Sequence, residues 1–203
     1  MRKLFLIVLG LTLFLNAYCQ EDTLSRKGKF ALNTSFKLGF SQLNSLTYKN
    51  LNGSVQIGEI LASYGFLKNA IISTGIAVMD FNANIFDSGG VRNLKNQYLQ
   101  FPLKVSTGYS LGNKRTSTTQ AIFGVGLLGT YHLKSTLEGS NAVTTANTWS
   151  IGMVVDLGLE FSILKDLNMG VGIESQFGRP TLGDNHKMNL TNNMLKFSFI
   201  YKP

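Results

Sequence analysis

The chain has 203 residues, a net charge of +8 and 44% hydrophobic residues, but only 15% charged ones. Its single cysteine excludes a disulfide-stapled scaffold, and beyond residue 20 no apolar run reaches the length of a membrane helix. Gly is abundant and Pro scarce, and after the first twenty residues the length suits one domain.

Arg2 and Lys3 precede an apolar run over residues 4–15, too short to cross a bilayer as a helix. Ala17 and Cys19 then stand at the −3 and −1 positions of a cleavage site. This predicts a secretory signal peptide over 1–19, a mature start at Gln20 and a charge of +6 for what remains. The competing reading is a lipoprotein signal with Cys19 acylated; Asn16 and Tyr18 suit it poorly. Residues 20–29 read as a flexible lead-in, and 30–203 as the domain.

From Phe30 the chain alternates. Phe30, Leu32, Thr34, Phe36, Leu38 and Phe40 share one face of a first strand, with Lys37 and Gly39 on the other. A polar loop is expected over 42–53. In the second strand Val55 and Ile57 hold one parity and Ile60, Ala62, Tyr64 and Phe66 the other, which predicts a bulge near Gly58 and Glu59. A tight turn at 67–69 leads to a third strand ending near Phe81, followed by a long loop over 82–96. The fourth and fifth strands, 98–111 and 119–133, form a long hairpin around a polar turn; Leu99, Phe101, Leu103 and Val105 match Phe123, Val125 and Leu127 on an uncharged apolar face. After a loop at 135–147, the sixth strand sets Trp149, Ile151, Met153, Val155, Leu157 and Leu159 against Gly152, Asp156, Gly158 and Glu160. The seventh sets Met169, Val171 and Ile173 against Gly170, Gly172 and Glu174. The eighth, after a loop at 179–192, sets Leu195, Phe197 and Phe199 against Lys196 and Ser198.

Eight strands, connections alternating long and short, and both mature termini on the short-turn side predict an all-β, eight-stranded antiparallel up-and-down transmembrane β-barrel. A soluble barrel of the lipocalin kind is the competing fold. The small residues of the polar face suit a narrow interior. The aromatics near strand ends suit girdles at two membrane interfaces, and both favour the membrane reading.

The segment Tyr98-Leu-Gln-Phe-Pro-Leu103, the glycine-rich strand Phe123-Gly-Val-Gly-Leu-Leu-Gly129 and Gly158-Leu-Glu-Phe161 resemble the PorT-like outer-membrane β-barrel family of Gram-negative bacteria. The resemblance implies a barrel over essentially the whole mature chain, located in the bacterial outer membrane, and an accessory part in an envelope secretion or gliding machine. The ending departs from the usual one, with Lys202 and Pro203 following the aromatic Tyr201.

No residues are expected to be catalytic, to bind a cofactor or to hold a metal. Gly124-x-Gly126-x-x-Gly129 matches the dinucleotide fingerprint, but alternation continues through it to Leu133 where a helix would have to start. His132 and His186 lie far apart and lack triad or ligand spacing. The inward charges Lys37, Lys104, Asp156, Glu160, Glu174 and Lys196, with Glu59 as a seventh candidate, are expected to interlock as a polar network that fills the lumen. Leu103, Val105, Val125, Met153, Val155, Leu157, Val171 and Phe197 are expected to face lipid, and Gly152 to accept a small polar residue mildly. The cations are scattered, which argues against nucleic acid. Lys49, Arg92, Lys95, Arg179 and Lys187 suit anionic lipopolysaccharide at the outer leaflet instead. The expected protein is a monomeric structural or surface-interaction barrel contacting outer-membrane lipid and envelope proteins, with a small channel or a lipid-modifying enzyme as further alternatives.

Overall fold

A computed structural model describes residues 28–44, 50–87, 90–111, 119–138, 143–144, 149–178, 181–182, 186–187 and 189–203. Expectations resting on residues 1–27, on Lys49 and on Arg179 lie outside the described residues, as do the side chains of His186 and Lys187.

Eight long antiparallel strands form the wall: β1 (Phe30–Asn44), β2 (Leu51–Gly65), β3 (Ala70–Asp87), β4 (Gly90–Ser110), β5 (Thr119–Leu137), β6 (Trp149–Leu164), β7 (Leu167–Gly178) and β8 (Asn189–Tyr201). Each pairs with its sequence neighbours, and β8 closes on β1, where Leu32 faces Tyr201 and Asn44 faces Asn189. Closure leaves no strand edge along the wall, which is how a barrel satisfies its backbone groups without water.

The register fixes the shape. From Phe30 the partners run through Tyr64, Ile72, Val105, Val125, Val155, Ser175 and Asn193 and return to β1 at Phe40, ten residues further along. A stagger of ten over eight strands tilts them by about 40° and leaves an interior that side chains fill.

The outer face changes character along β1 to β4. Leu32 to Phe40 on β1, Ile60 to Tyr64 on β2, Ile72 to Val78 on β3 and Leu99 to Val105 on β4 turn alternate, mostly apolar side chains outward. Further from the termini the outward positions become Gln42, then Ser54 and Gln56, then Asp80, Asn82 and Asn84, then Asn93, Lys95 and Gln97. The inward positions at that level turn apolar and form one buried cluster: Leu43, Val55, Ile57, Ala77, Met79, Phe81, Ala83, Leu94, Tyr98, Leu190 and Met194. The two faces exchange polarity without any change in register.

That exchange accounts for the departures from the sequence expectations. No bulge occurs at Gly58 and Glu59: β2 pairs without a slip from Leu51 to Tyr64, and Val55 and Ile57 point inward into the apolar cluster while Ile60, Ala62 and Tyr64 point outward. The register shifts fall instead between Gln97 and Tyr98, where Leu133 is the extra residue on β5, and between Ser162 and Leu164. The loop expected over 82–96 is strand over 82–87 and 90–96, with β3 and β4 pairing as far as Asp87 opposite Gly90. Its polar residues alternate with Ala83, Ile85 and Leu94, which is the pattern of a sheet above an apolar core. Likewise β5 runs past Leu133 to Leu137, where Ser135 and Thr136 pair with Thr144 and Val143, and β8 begins at Asn189. The strict long–short alternation of connections therefore fails between β3 and β4, which only residues 88 and 89 separate. β3, β4 and β5, at 18, 21 and 19 residues, rise as an arm above the shorter β7 and β8. Within the wall, the β3–β4 ladder skips the positions opposite Phe101 and Pro102, as a residue without an N–H requires.

Candidate functional site

At mid-height the lumen holds a closed ring of alternating charge. Lys37 Nζ lies 2.8 Å from Glu59 Oε2 and 2.8 Å from Glu174 Oε1. Lys104 Nζ lies 3.1 Å from Glu59 Oε2 and 2.8 Å from Glu174 Oε2. The four come from β1, β2, β4 and β7, so they meet from different sides of the barrel. Their side chains are at most 3% exposed. An isolated charge so placed would cost many kcal/mol; here each cation has two carboxylates and each carboxylate two cations. Asp156 extends the ring toward the termini, 3.9 Å from Lys104 and 3.1 Å from Lys196. One layer further, Glu160 accepts from Lys202 and from Asn168 Nδ2. Lys37, Lys104, Lys196 and Lys202 thus face Glu59, Glu174, Asp156 and Glu160, four cations against four anions.

Above the ring, amides carry the polarity upward. Gln176 Nε2 donates to Glu174 Oε1 at 2.9 Å, and Gln100 Nε2 and Asn192 Nδ2 donate to Gln176 Oε1 at 3.2 and 3.0 Å. Gln100 and Asn192 each also reach Met79 Sδ at 3.4 Å, where the apolar cluster begins. Below the ring a cavity of about 120 Å³ extends to Lys29 and Pro203 at the terminus end, with Ser63, Ser73, Ser106, Ile122 and Ile200 in its wall. The lumen is thus crossed by ions and amides at mid-height and by an apolar cluster above.

Of the expected network residues, the structure brings Lys37, Lys104, Asp156, Glu174 and Lys196 into continuous contact, and sets Glu160 one layer lower with Lys202. Glu59, the seventh candidate, completes the ring, and Lys202 joins the lower layer. Glu59 was held back by the assumed slip in β2, although its spacing from Val55 and Ile57 places all three on one face. Lys202 continues the inward face of Lys196 and Ser198, but nothing in the sequence shows that it pairs with Glu160. Leu103, Val105, Val125, Met153, Val155, Leu157, Val171 and Phe197 all lie on the outer face of their strands. Near the two ends of that apolar band stand aromatics: Phe30 with Tyr64 at 4.8 Å toward the termini, and Trp149 with Phe101 at 5.5 Å and Tyr131 at 5.1 Å at the other end.

The glycine fingerprint lies wholly within β5, which runs on as strand to Leu137. A Cβ on Gly124 would stand 2.6 Å from Asp156 Oδ1, so this glycine makes room for the carboxylate that holds Lys196. Gly152 is a correction to the expectation of tolerance: its Cβ would stand 2.6 Å from the Phe177 carbonyl oxygen, a backbone atom that cannot swing aside. The His132 ring points inward and stacks on Tyr98 at 4.8 Å. Among the described residues no three or more His, Cys, Asp or Glu side chains gather as a metal site.

No family model matches the chain, and no curated protein matches its sequence. Solved structures do match in fold. Neisserial surface protein A shares 14% identity, with 85% of this chain and 96% of that one covered and a TM-score of 0.52. The N-terminal β-barrel domain of Pseudomonas aeruginosa OprF shares 8%, covering 83% and 97%, at a TM-score of 0.45. Ail, the attachment invasion locus protein of Yersinia pestis, shares 12%, covering 86% and 99%, at 0.37. The likeness to Neisserial surface protein A, at 14% identity, concerns the fold alone, a closed antiparallel barrel.

Proposed function

We propose that this chain is an integral outer-membrane β-barrel, exported by its N-terminal segment, whose role is structural or surface-binding rather than enzymatic. The observation that carries the reading is a ring at the level where the faces of β1 to β4 exchange polarity. Between it and the terminus end, outward side chains are mainly Leu, Ile, Val, Met and Phe. Strand segments of about ten residues, tilted by about 40°, give this band a height of about 25 Å, which suits the hydrocarbon of a bilayer. Beyond the ring the wall takes the polarity of a water-soluble sheet, polar outside and apolar inside. Leu103, Val105, Val125, Met153, Val155, Leu157, Val171 and Phe197 then face acyl chains, and the arm formed by β3, β4 and β5 stands outside the cell.

The test is fractionation combined with gel migration. The processed protein should sediment with outer membranes and migrate differently before and after boiling. A folded protein that stays in aqueous solution without detergent would overturn the reading. The motif Tyr98-Leu-Gln-Phe-Pro-Leu103 and the glycine-rich strands after it favour a second role, as an accessory part of an envelope secretion or gliding machine. A stoichiometric envelope partner in a detergent pull-down would support that role, and a clean monomer the first.

A further inference from the structure

The outer face of the arm carries an ordered run of chemistry from the apolar band upward. Gln97 on β4 faces Lys134 on β5, and one step higher Lys95 faces Thr136. Lys95 and Lys134 are thus diagonal neighbours on one face, roughly 7 Å apart at Cβ. Both are exposed; Lys134 stands above Tyr131 past the extra residue Leu133, and Lys95 above Leu99 with Gln97 between. Asp80, on the same face, lies level with Gln97, below Lys95. Higher up, Asn93 Nδ2 donates to Asn84 Oδ1 at 3.1 Å across the two strands, and at the tip Phe86 and Val91 face one another, 79% and 62% exposed. From Val78 to Asp87 the arm climbs about 20 Å.

We propose that this face is a binding site for the anionic glycolipid of the outer leaflet, with Lys95 and Lys134 taking a headgroup phosphate and Asn84, Asn93 and Phe86 contacting the sugars above it. The inference rests on the membrane reading and deepens it. If the apolar band meets acyl chains, the same wall continued upward meets the headgroups of those very lipids, since it is turned away from the barrel axis. Continuity therefore selects the occupant. The sequence of groups fits it in order: two cations at the height of phosphates, then amides that exchange hydrogen bonds with hydroxyls, then an aromatic ring that packs on the C–H face of a pyranose. A merely solvated surface gives no reason for an exposed Phe–Val pair at the far end, well beyond any acyl chain.

The experiment uses the full mature protein folded in phosphatidylcholine vesicles and in detergent, titrated with three probes: rough lipopolysaccharide, lipid A without core sugars, and dephosphorylated lipid A. Wild type should bind the first two, be protected against thermal unfolding by them, and bind the third weakly. The double variant Lys95→Gln, Lys134→Gln should lose roughly tenfold or more in affinity for both phosphorylated probes, the loss of two charge-assisted contacts, and high salt should weaken the wild type. Phe86→Ser should weaken lipopolysaccharide binding and spare lipid A. Lys165→Gln, at the terminus end, should change nothing. Equal affinity of the double variant and wild type, an equal loss with Lys165→Gln, or equal binding of the dephosphorylated probe would overturn the site. A barrel that inserts into vesicles yet ignores all three probes defeats this inference alone. One that never inserts defeats the membrane reading with it.

Discussion

Lys104 sits between two carboxylates of the ring and within reach of a third, Asp156, so its removal leaves Glu59 and Glu174 to share Lys37 alone. Lys104→Met should therefore destabilise the barrel by about 3–5 kcal/mol, the usual result of stripping one partner from a buried ion pair. The measurement is the urea midpoint of unfolding in detergent or vesicles. Adding Glu174→Gln to the same chain should recover part of the loss, because it removes one of the stranded anions; a double variant weaker than the sum of the singles would speak against a shared network. Inward parity alone made Lys37, Lys104, Asp156, Glu174 and Lys196 legible from the sequence. Parity cannot state which charges touch. Lys37 meets Glu174 across 137 positions of chain, and that neighbourhood exists only once the stagger of the closed barrel is known.

Strands carry the second kind of information, where along their length the surroundings change. Val155 lies midway along the outer face of β6, and Asn84 on the outer face of β3 beyond the exchange of polarity. Val155→Lys should cost about 2–4 kcal/mol for a cation at the bilayer midplane. Asn84→Lys, on an equally outward position, should cost at most about 0.5 kcal/mol, as for an ordinary surface substitution. Refolding yield and denaturant midpoints in vesicles read both; equal costs would remove the band from its proposed place. The strands β1 and β6, and β4 from Tyr98 onward, were legible because those stretches lie largely within one regime, where apolar means outward. β2 and β3 were misread because they cross from one regime to the other. A rule that equates apolar with outward must invent a bulge in β2 and a loop after Phe81, although alternation itself never lapses in either strand.

Across the whole molecule, the ring of ions, the amide layer and the apolar cluster are stacked along one axis, so a solute crossing the barrel would have to displace all three. Purified protein in planar bilayers should accordingly give no stable single-channel steps, and reproducible unitary conductance would show that the filling of the lumen opens. Even strand number and closure were readable from eight alternating segments. The asymmetry of the rim was not, because the tall arm is built from residues whose polarity resembles that of a loop.

The meeting of β8 with β1 has a consequence for how such a molecule comes into being. The first wall strand must wait for the last, some 150 positions later, before either has a full set of partners, and so the chain gains little from partial assembly. Until that seam shuts, the central lysines and glutamates remain hydrated in an open trough. The full ring of ion pairs is therefore complete only in the sealed cylinder, where Lys37 and Glu174 meet.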